Sequence, residues 1–336
     1  MSTPAIEATG LSVGYRSRGG SRAVLADLDF AVQPGELVCL LGPNGIGKST
    51  LLRTISRIQP PLAGRIRLGG VDLGGITQHQ LARLLGVVLT ERVQIGAMPA
   101  YRVVELGRYA HLDWAGRLTA ADHEVVRWAI RAVGAEHLAH RDSSELSDGE
   151  RQRIMIARAL AQEPAVLLLD EPTAFLDVPS RVDLMGLLRT LARREGIAVV
   201  VSSHDLELAL RTADTVWLVA PGGKFYAGAP EDIVQGGHVA EAFHGERIRF
   251  RPEERAFRLV GEGRCRALVE GEGLGAVLAA AVLEREGYEI VTERCPETLV
   301  VAIDAREGWR SEGPAAGTSF AALASFARSR GARTAA

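Results

Sequence analysis

Apolar residues follow two different periods along the chain, and these periods divide it into segments. Up to about residue 85, short apolar runs are separated by glycines: Ile6 to Gly14 alternates loosely, Glu36 to Leu41 is a short apolar run, and Arg65 to Leu68 follows Pro-Pro-Leu-Ala-Gly. Such runs predict strands. From Thr77 to about Gln162 the apolar residues recur mostly at three- and four-residue spacing, which predicts helices.

Strand and helix patterns alternate again after this helical segment. Val166 to Leu169 predicts a buried strand, Pro179 to Arg194 a helix, and Ile197 to Val201 a strand rich in β-branched residues. This alternation is typical of a parallel sheet with crossover helices. The predicted fold class is therefore α/β, with a parallel-sheet core and a helical subdomain inserted at about 77–165.

The composition shifts near residue 250, where we predict a domain boundary. Residues 257 to 331 indicate two short strands, a helix from about Gly273 to Glu286, two strands (Tyr288 to Thr292 and Thr298 to Ile303) and a final helix. We expect one domain at 1–250 and a small α+β domain at 251–336. No motif indicates what the second domain does. An accessory packing unit is favoured over a sensor of substrate or metal, since Cys265 and Cys295 have no companion ligands at metal-site spacing.

Charge and composition narrow the function classes. The formal net charge is -2, which does not indicate general affinity for nucleic acid or anionic lipid. The longest apolar candidate, Leu274 to Leu283, is about half of the roughly 20 residues that a membrane helix requires. The N-terminus lacks a signal-peptide pattern. We therefore expect any membrane association to arise through a partner.

One glycine-rich segment matches the pattern G-x-x-x-x-G-K-[ST], from Gly42 to Ser49. It follows an apolar run and precedes a helical pattern, so its backbone N–H groups would face phosphate oxygens at a helix start. Lys48 would bind the β- and γ-phosphates and Ser49 would bind Mg²⁺. The segment predicts a site for ATP and Mg²⁺, whose nucleotide-binding residues are Asn44, Gly45, Gly47, Lys48, Ser49 and Thr50.

A second acidic motif ends the strand Val166 to Leu169. Asp170 suits the Mg²⁺ shell, and Glu171 is placed to accept a proton from an attacking water. Alone, a strand that ends in two carboxylates would be an ordinary polar turn. Together with the glycine-rich segment in an alternating α/β pattern, it predicts a nucleotide-hydrolysing site.

Residues Leu146 to Arg153, Leu-Ser-Asp-Gly-Glu-Arg-Gln-Arg, closely resemble the ABC signature L-S-G-G-Q-x-Q-R. The resemblance identifies an ABC ATPase of the P-loop NTPase class, with an antiparallel N-terminal part. It implies that Ser147 and Gly149 contact the γ-phosphate bound by a second copy, so that hydrolysis requires a dimer. Asp148 and Glu150 depart from the commonest residues, and we expect their side chains to point away from the phosphate.

Three further residues match the family in the correct order. The resemblance implies that Asp177 belongs to the D-loop, that His204 is the switch histidine holding the γ-phosphate, and that Tyr15 stacks on adenine. An ordinary tyrosine at a strand end is the alternative for Tyr15. The resemblance covers residues 5 to about 245.

The family's Q-loop glutamine is replaced in this chain. Glu91 occupies the expected position and Gln94 lies three residues on. A carboxylate can also ligate Mg²⁺, so Glu91 is favoured as a metal-binding and catalytic residue. The alternative is that Gln94 fills the role through a shifted loop.

The segment after the Q-loop resembles one subgroup of the family. Val104 to Tyr109, with Trp114 and Gly116-Arg117-Leu118, looks like ATPases of ferric-siderophore, haem and cobalamin importers. This implies a separate membrane permease that docks near Glu91 and Tyr101, an external substrate-binding protein, and a position at the cytoplasmic face of the membrane. An amphipathic helix without a special partner is the alternative.

Three rival functions remain for the chain as a whole. They are a soluble ABC ATPase acting on ribosomes or DNA, a regulatory module without turnover, and an exporter ATPase.

Overall fold

The computed structural model of the chain describes residues 3–17, 20–89, 97–112, 116–245, 248–259, 265–295, 298–304, 308–312 and 314–334. The chain divides into two compact units, Met1–Phe243 and His244–Ala336. Within the described ranges, no helix combines the length and the hydrophobicity of a bilayer-spanning segment.

The described residues of the first unit form ten strands and nine α-helices. The strands are, in chain order, β1 (Ile6–Ser17), β2 (Gly20–Val32), β3 (Leu37–Leu41), β4 (Ala63–Leu68), β5 (Val71–Asp72), β6 (Leu85–Val88), β7 (Val166–Leu169), β8 (Ala198–Ser202), β9 (Thr215–Ala220) and β10 (Lys224–Gly228). The helices are α1 (Lys48–Ile55), α2 (Gln78–Leu84), α3 (Ala100–Glu105), α4 (Ala120–Ala132), α5 (Asp148–Leu160), α6 (Val178–Glu195), α7 (Leu206–Thr212), α8 (Pro230–Gln235) and α9 (His238–Ala242). A 3₁₀ helix, Leu106–His111, follows α3 directly.

Two sheets carry the first unit. The central sheet has the order β10-β9-β3-β8-β7-β6, and its strands pair in parallel except for β10. Every residue of β3, β7 and β8 is buried, which explains their unbroken apolar runs, because helices cover both faces of such a sheet. The other sheet is antiparallel, in the order β2-β1-β4-β5. The predicted α/β class, with its parallel core and antiparallel N-terminal part, is confirmed.

Helices begin where the sequence supplies a cap. Thr119 and Asp122 form a reciprocal capping box at the start of α4, and Ser147 and Glu150 form another at α5. Asp177 caps α6, which ends at Gly196 in the left-handed conformation. One strand, β6, lies within the mostly helical segment 77–165 and pairs with β7 in the central sheet.

The second unit contains its own sheet and core. Its described elements are β11 (Ile248–Arg251), β12 (Ala256–Leu259), β13 (Cys265–Glu270), α10 (Leu274–Arg285), β14 (Tyr288–Ile290), β15 (Leu299–Asp304), β16 (Gly308–Ser311), β17 (Ala316–Gly317) and α11 (Phe320–Thr334). Strands β11 and β12 form a separate hairpin, and the other five form a sheet in the order β14-β13-β15-β16-β17. Buried residues of α10 and α11, including Leu283 and Leu323, form one apolar cluster with sheet residues such as Val301.

Candidate nucleotide site

The glycine-rich segment connects the buried end of β3 to the first residue of α1. Gly42, Gly45 and Gly47 all have positive φ angles (148°, 74° and 118°), which glycine adopts without steric cost. At Gly47 an added Cβ would also lie 2.5 Å from Cγ1 of Val24. The sequence therefore fixes a tight loop here, whose backbone amides lead into the N-terminus of α1.

Lys48 lies inside this loop. Its Nζ donates to the carbonyl oxygens of Gly42 (2.8 Å) and Pro43 (3.1 Å), and the residue is buried. Burial lowers the pKa of Lys48, while the nearby carboxylates of Glu171 and Asp170 act in the opposite direction. The loop therefore holds a cationic donor beside two carboxylates.

Asp170 follows β7 and lies beside the start of α1, because β7, β8 and β3 are neighbours that end at the same edge of the sheet. Its Oδ1 accepts from Oγ of Ser202 (2.6 Å) and from Oγ of Ser49 (3.3 Å). The sequence prediction had not included Ser202, which is fully buried at the end of β8. A serine that ends a β-branched strand two residues before a candidate histidine was the available signal.

Glu171 and His204 form a contact pair at the same edge. His204 Nε2 is hydrogen-bonded to Oε1 of Glu171, and the Glu171 backbone N–H donates to Ser202 Oγ at 2.8 Å. Glu171 has a φ of 50°, which is uncommon for a residue other than glycine and turns the chain sharply out of the sheet. Both side chains remain partly exposed.

Tyr15 lies on the rim of the site. The residue is 53% exposed, and its hydroxyl lies 3.0 Å from the hydroxyl of Thr50 on α1. It is therefore anchored to the first turn of α1 while its ring remains accessible. This position is compatible with stacking on a base and does not exclude the alternative of a strand-end tyrosine.

These residues surround one cavity of about 470 Å³, within the usual range for a small-molecule site. The cavity is lined by Tyr15, Val24, Asn44, Gly45, Gly47, Lys48, Ser49, Thr50, Glu171 and His204. Asp170 is not among the lining residues and is connected to the cavity by its hydrogen bond with Ser49.

Ser147, Gly149 and Asp177 do not line this cavity. Ser147 caps the start of α5, and its hydroxyl donates to Oε2 of Glu150, whose other oxygen pairs with Arg141 at 2.8 Å. The Glu150 carboxylate thus folds back onto the helix start and onto Arg141. Asp177 caps α6, and its Oδ1 accepts from the Ser180 backbone N–H at 3.0 Å. The cross-subunit roles of these residues stay predictions. Glu91, Gln94 and Trp114 lie outside the described residues.

Comparisons with known proteins identify the family of the chain. The family model described as "ABC transporter" matches residues 25–174. The chain is 45% identical over 233 residues to the uncharacterised ABC transporter ATP-binding protein MJ0873 of Methanocaldococcus jannaschii, covering 69% of this chain and 79% of that protein. It is 38% identical over 224 residues to the ferric enterobactin transport ATP-binding protein FepC of Escherichia coli (67% and 81% covered). It is 39% identical over 238 residues to the cobalamin import ATP-binding protein BtuD of Halobacterium salinarum (71% and 58% covered).

Solved structures show the same fold. A transporter described as metal-chelate type, in an inward-facing conformation, matches with a TM-score of 0.62 and 28% identity over 76% of this chain and 95% of that one. The dimeric ABC transporter cassette MJ0796 matches with a TM-score of 0.57 and 26% identity over 67% and 98%.

Fold and site together define a P-loop ATPase. The chain belongs to the ATP-binding proteins of ABC transporters and is related to the siderophore and cobalamin import members.

Proposed function

We propose that this chain is the ATP-hydrolysing subunit of an ABC importer that energises a separate membrane permease, with an iron-siderophore, haem or cobalamin as cargo. The observation that carries the proposal is the similarity to FepC and BtuD, which covers 67% and 71% of the chain. The metal-chelate type transporter among the structural matches supports the same cargo class. The chain would work at the cytoplasmic face of the membrane, and an external substrate-binding protein would deliver the cargo to the permease.

The cavity residues divide the work on ATP by position. Lys48 exchanges its bonds to the loop carbonyls for the β- and γ-phosphates, and the loop amides with Asn44, Gly45, Gly47 and Thr50 bind the remaining phosphate oxygens. The ring of Tyr15 stacks on adenine.

Oxygen donors at the edge of the sheet suit Mg²⁺. Ser49 and Asp170 lie within hydrogen-bond distance of each other, and Mg²⁺ commonly binds one or two protein oxygens together with substrate phosphates. When bound, Mg²⁺ neutralises charge that develops on the phosphates. Glu91, or Gln94 instead, would complete this shell.

Glu171 serves as the general base for the attacking water, and His204 holds the γ-phosphate and orients the Glu171 carboxylate. Their direct contact at the mouth of the cavity supports this division of roles. Ser202 is hydrogen-bonded to both the Asp170 carboxylate and the Glu171 backbone N–H, so it fixes the position of the metal ligand relative to the base.

Two copies would complete two sites. Ser147 and Gly149 at the start of α5 contact the γ-phosphate bound by the other copy, and Asp177 communicates across the interface. The dimeric cassette among the structural matches supports such a pairing. Residues 251–336 form an accessory domain in this proposal.

Affinity purification tests the importer assignment. Tagged Glu171→Gln protein is recovered with ATP from detergent-solubilised native membranes, and the co-purifying proteins are identified and quantified. A polytopic permease of the importer type is expected in equal amount. Deletion of the permease gene then identifies the cargo as the compound that the cells no longer take up. Ribosomal or DNA-bound partners without a membrane protein would favour a soluble ABC ATPase, and an export permease would favour an exporter.

A further inference from the structure

Residues 161–165 connect the helix that begins at the signature to the strand that leads into the proposed catalytic carboxylates. Helix α5 begins after Ser147 and is capped at its end by Ala161, and β7 starts at Val166 and leads into Asp170. Glu163 within this connection has a φ of 53°. Any change in the angle between α5 and β7 must therefore be absorbed over very few residues.

The 3₁₀ helix Leu106–His111 bonds to the first three residues of this connection. Arg108 Nη1 donates to the Ala161 carbonyl (2.8 Å) and to Oε2 of Glu163 (2.7 Å), and His111 Nε2 donates to the Gln162 carbonyl at 2.8 Å. We call Arg108 and His111, together with residues 161–163, the hinge clamp. Because the last carbonyls of a helix lack partners within it, Arg108 also stabilises the end of α5.

Arg108 joins the hinge clamp to the helical subdomain. Its side chain is only 7% exposed, and its other edge donates to Oδ1 of Asp122 on α4, at 2.9 Å from both Nε and Nη2. A guanidinium holds such partners in a fixed planar arrangement that a lysine cannot reproduce. Glu163, at 52% exposure, is the accessible member of the set.

Two further features show that the contact between the helical subdomain and the α5–β7 connection is concentrated at the hinge clamp. An added Cβ at Gly107 would lie 2.1 Å from the Arg158 carbonyl, so the 3₁₀ helix packs directly against the α5 backbone. In contrast, a cleft of about 520 Å³ separates α4 from the chain at Pro164 and Ile197, with Trp128 and Glu124 on its α4 side. Packing is therefore tight at the clamp and open beside it.

We propose that the hinge clamp sets the orientation of α5 relative to Asp170 and Glu171, with Arg108 and His111 as positioning residues for ATP hydrolysis. The inference rests on the proposed function, in which Ser147 at the start of α5 meets ATP bound by a second copy. A displacement of the 3₁₀ helix is transmitted through Arg108 to the α5–β7 connection. The clamp thereby links the permease-facing segment to the hydrolytic edge of the sheet.

Steady-state kinetics of the purified full chain test the clamp, at protein concentrations where specific activity no longer rises. Glu163→Gln removes one charge at a half-exposed position, and we expect kcat to fall about threefold with an unchanged melting temperature. Arg108→Lys is expected to lower kcat about tenfold. KM for ATP should stay within about twofold of the parent in both variants, because the P-loop and Tyr15 are untouched.

Glu124→Gln is the matched control. Glu124 lines the same cleft, but it pairs with Arg127 on its own helix, so kcat should equal that of the parent. The double variant Arg108→Lys/Glu163→Gln should lose no more than Arg108→Lys, since the Arg108 change already disrupts the contact with Glu163.

Parental kcat in both clamp variants would overturn the inference. A fall in kcat that comes with a rise in KM of the same factor and with a lower melting temperature would also overturn the inference, since this combination indicates a purely structural role. Failure of the proposed function is distinguished by Glu171→Gln, whose normal turnover would contradict the proposed chemistry whatever the clamp variants do.

Discussion

Glu171 follows β7 with a positive φ and contacts His204 with its carboxylate, so the residue proposed as the general base also shapes the edge of the sheet. Glutamine has nearly the same size and can keep a hydrogen bond to His204, but it cannot accept a proton from water. We therefore expect Glu171→Gln to bind ATP while kcat falls roughly 10²- to 10⁴-fold, the usual contribution of a general base. Phosphate release and size-exclusion chromatography with ATP measure turnover and trapping of the closed dimer. Normal turnover would show that the base lies elsewhere.

Lys48 is one of only two lysines among 39 basic residues, which makes a matched comparison possible. Its buried amine faces the loop, whereas Lys224 pairs with Glu241 on the surface. Lys48→Ala removes charge-assisted hydrogen bonds to phosphate, so we expect affinity for Mg·ATP to weaken about 10- to 100-fold. Lys224→Ala should bind as the parent does. Calorimetric titration of both variants decides, and equal affinities would contradict the assignment of Lys48.

Sequence reasoning predicted most of the cavity residues because the motifs specify them locally. Lys48, Ser49 and Glu171 occur at fixed positions relative to a strand end or a helix start, and strand order then brings them to one edge. Ser202 was missed because its role depends on the pairing of β8 beside β7, which no local pattern shows. The structure likewise leaves the role of Tyr15 as a prediction, since contact with Thr50 fits either interpretation.

At the scale of elements, Asp122 shows how one helix start is tied to a buried cation. Burial would raise the pKa of Asp122, but hydrogen bonds from the Thr119 hydroxyl and backbone and from the Arg108 guanidinium outweigh it and lower the pKa to about 2. Because the folded pKa lies below the unfolded value, the ionised group stabilises the fold above about pH 4. This contribution is lost as the pH falls through the folded pKa.

Asp122→Asn should therefore destabilise the fold in a pH-dependent way. A pKa held at about 2 instead of near 3.8 corresponds to roughly 2 kcal/mol of stability for the ionised group. In urea denaturation the difference in unfolding free energy between parent and variant should be constant above about pH 5 and shrink between pH 4 and pH 2. A difference that does not change over this interval would show that the charge on Asp122 contributes nothing.

Element prediction succeeded where burial imposes a clear period and failed where it does not. The fully buried β7 and β8 read as continuous apolar runs, and α6 was placed within one residue at each end. Strand β2 was missed because most of its positions are exposed, and its pairing with β1 contains several register shifts. Strands β16 and β17 are four and two residues long, so tertiary pairing defines them and local pattern does not.

At the scale of the whole molecule, the relatives match part of the chain, and the structure divides the chain into two compact units. The alignment with MJ0873 spans 69% of the chain, and the first compact unit ends at Phe243. The predicted boundary at residue 250, as the point where the ATPase domain ends and an accessory domain begins, remains a prediction. What the second unit does could not be predicted, because it contains a core but no motif with recognisable chemistry.

The first unit should fold and hydrolyse ATP without the second. Its apolar core is formed by its own residues, from Ala5 to Val219, and every residue around the nucleotide cavity lies between Tyr15 and His204. We expect a chain of residues 1–243 to melt cooperatively and to keep kcat and KM for ATP within about twofold of the full chain. Calorimetry and phosphate release compare the two chains at equal concentration. Residues 244–336, with a separate core, should account for any additional melting transition of the full chain. If residues 1–243 are folded but inactive, the second unit contributes to hydrolysis, and its role must then be sought in the assembly of the active dimer.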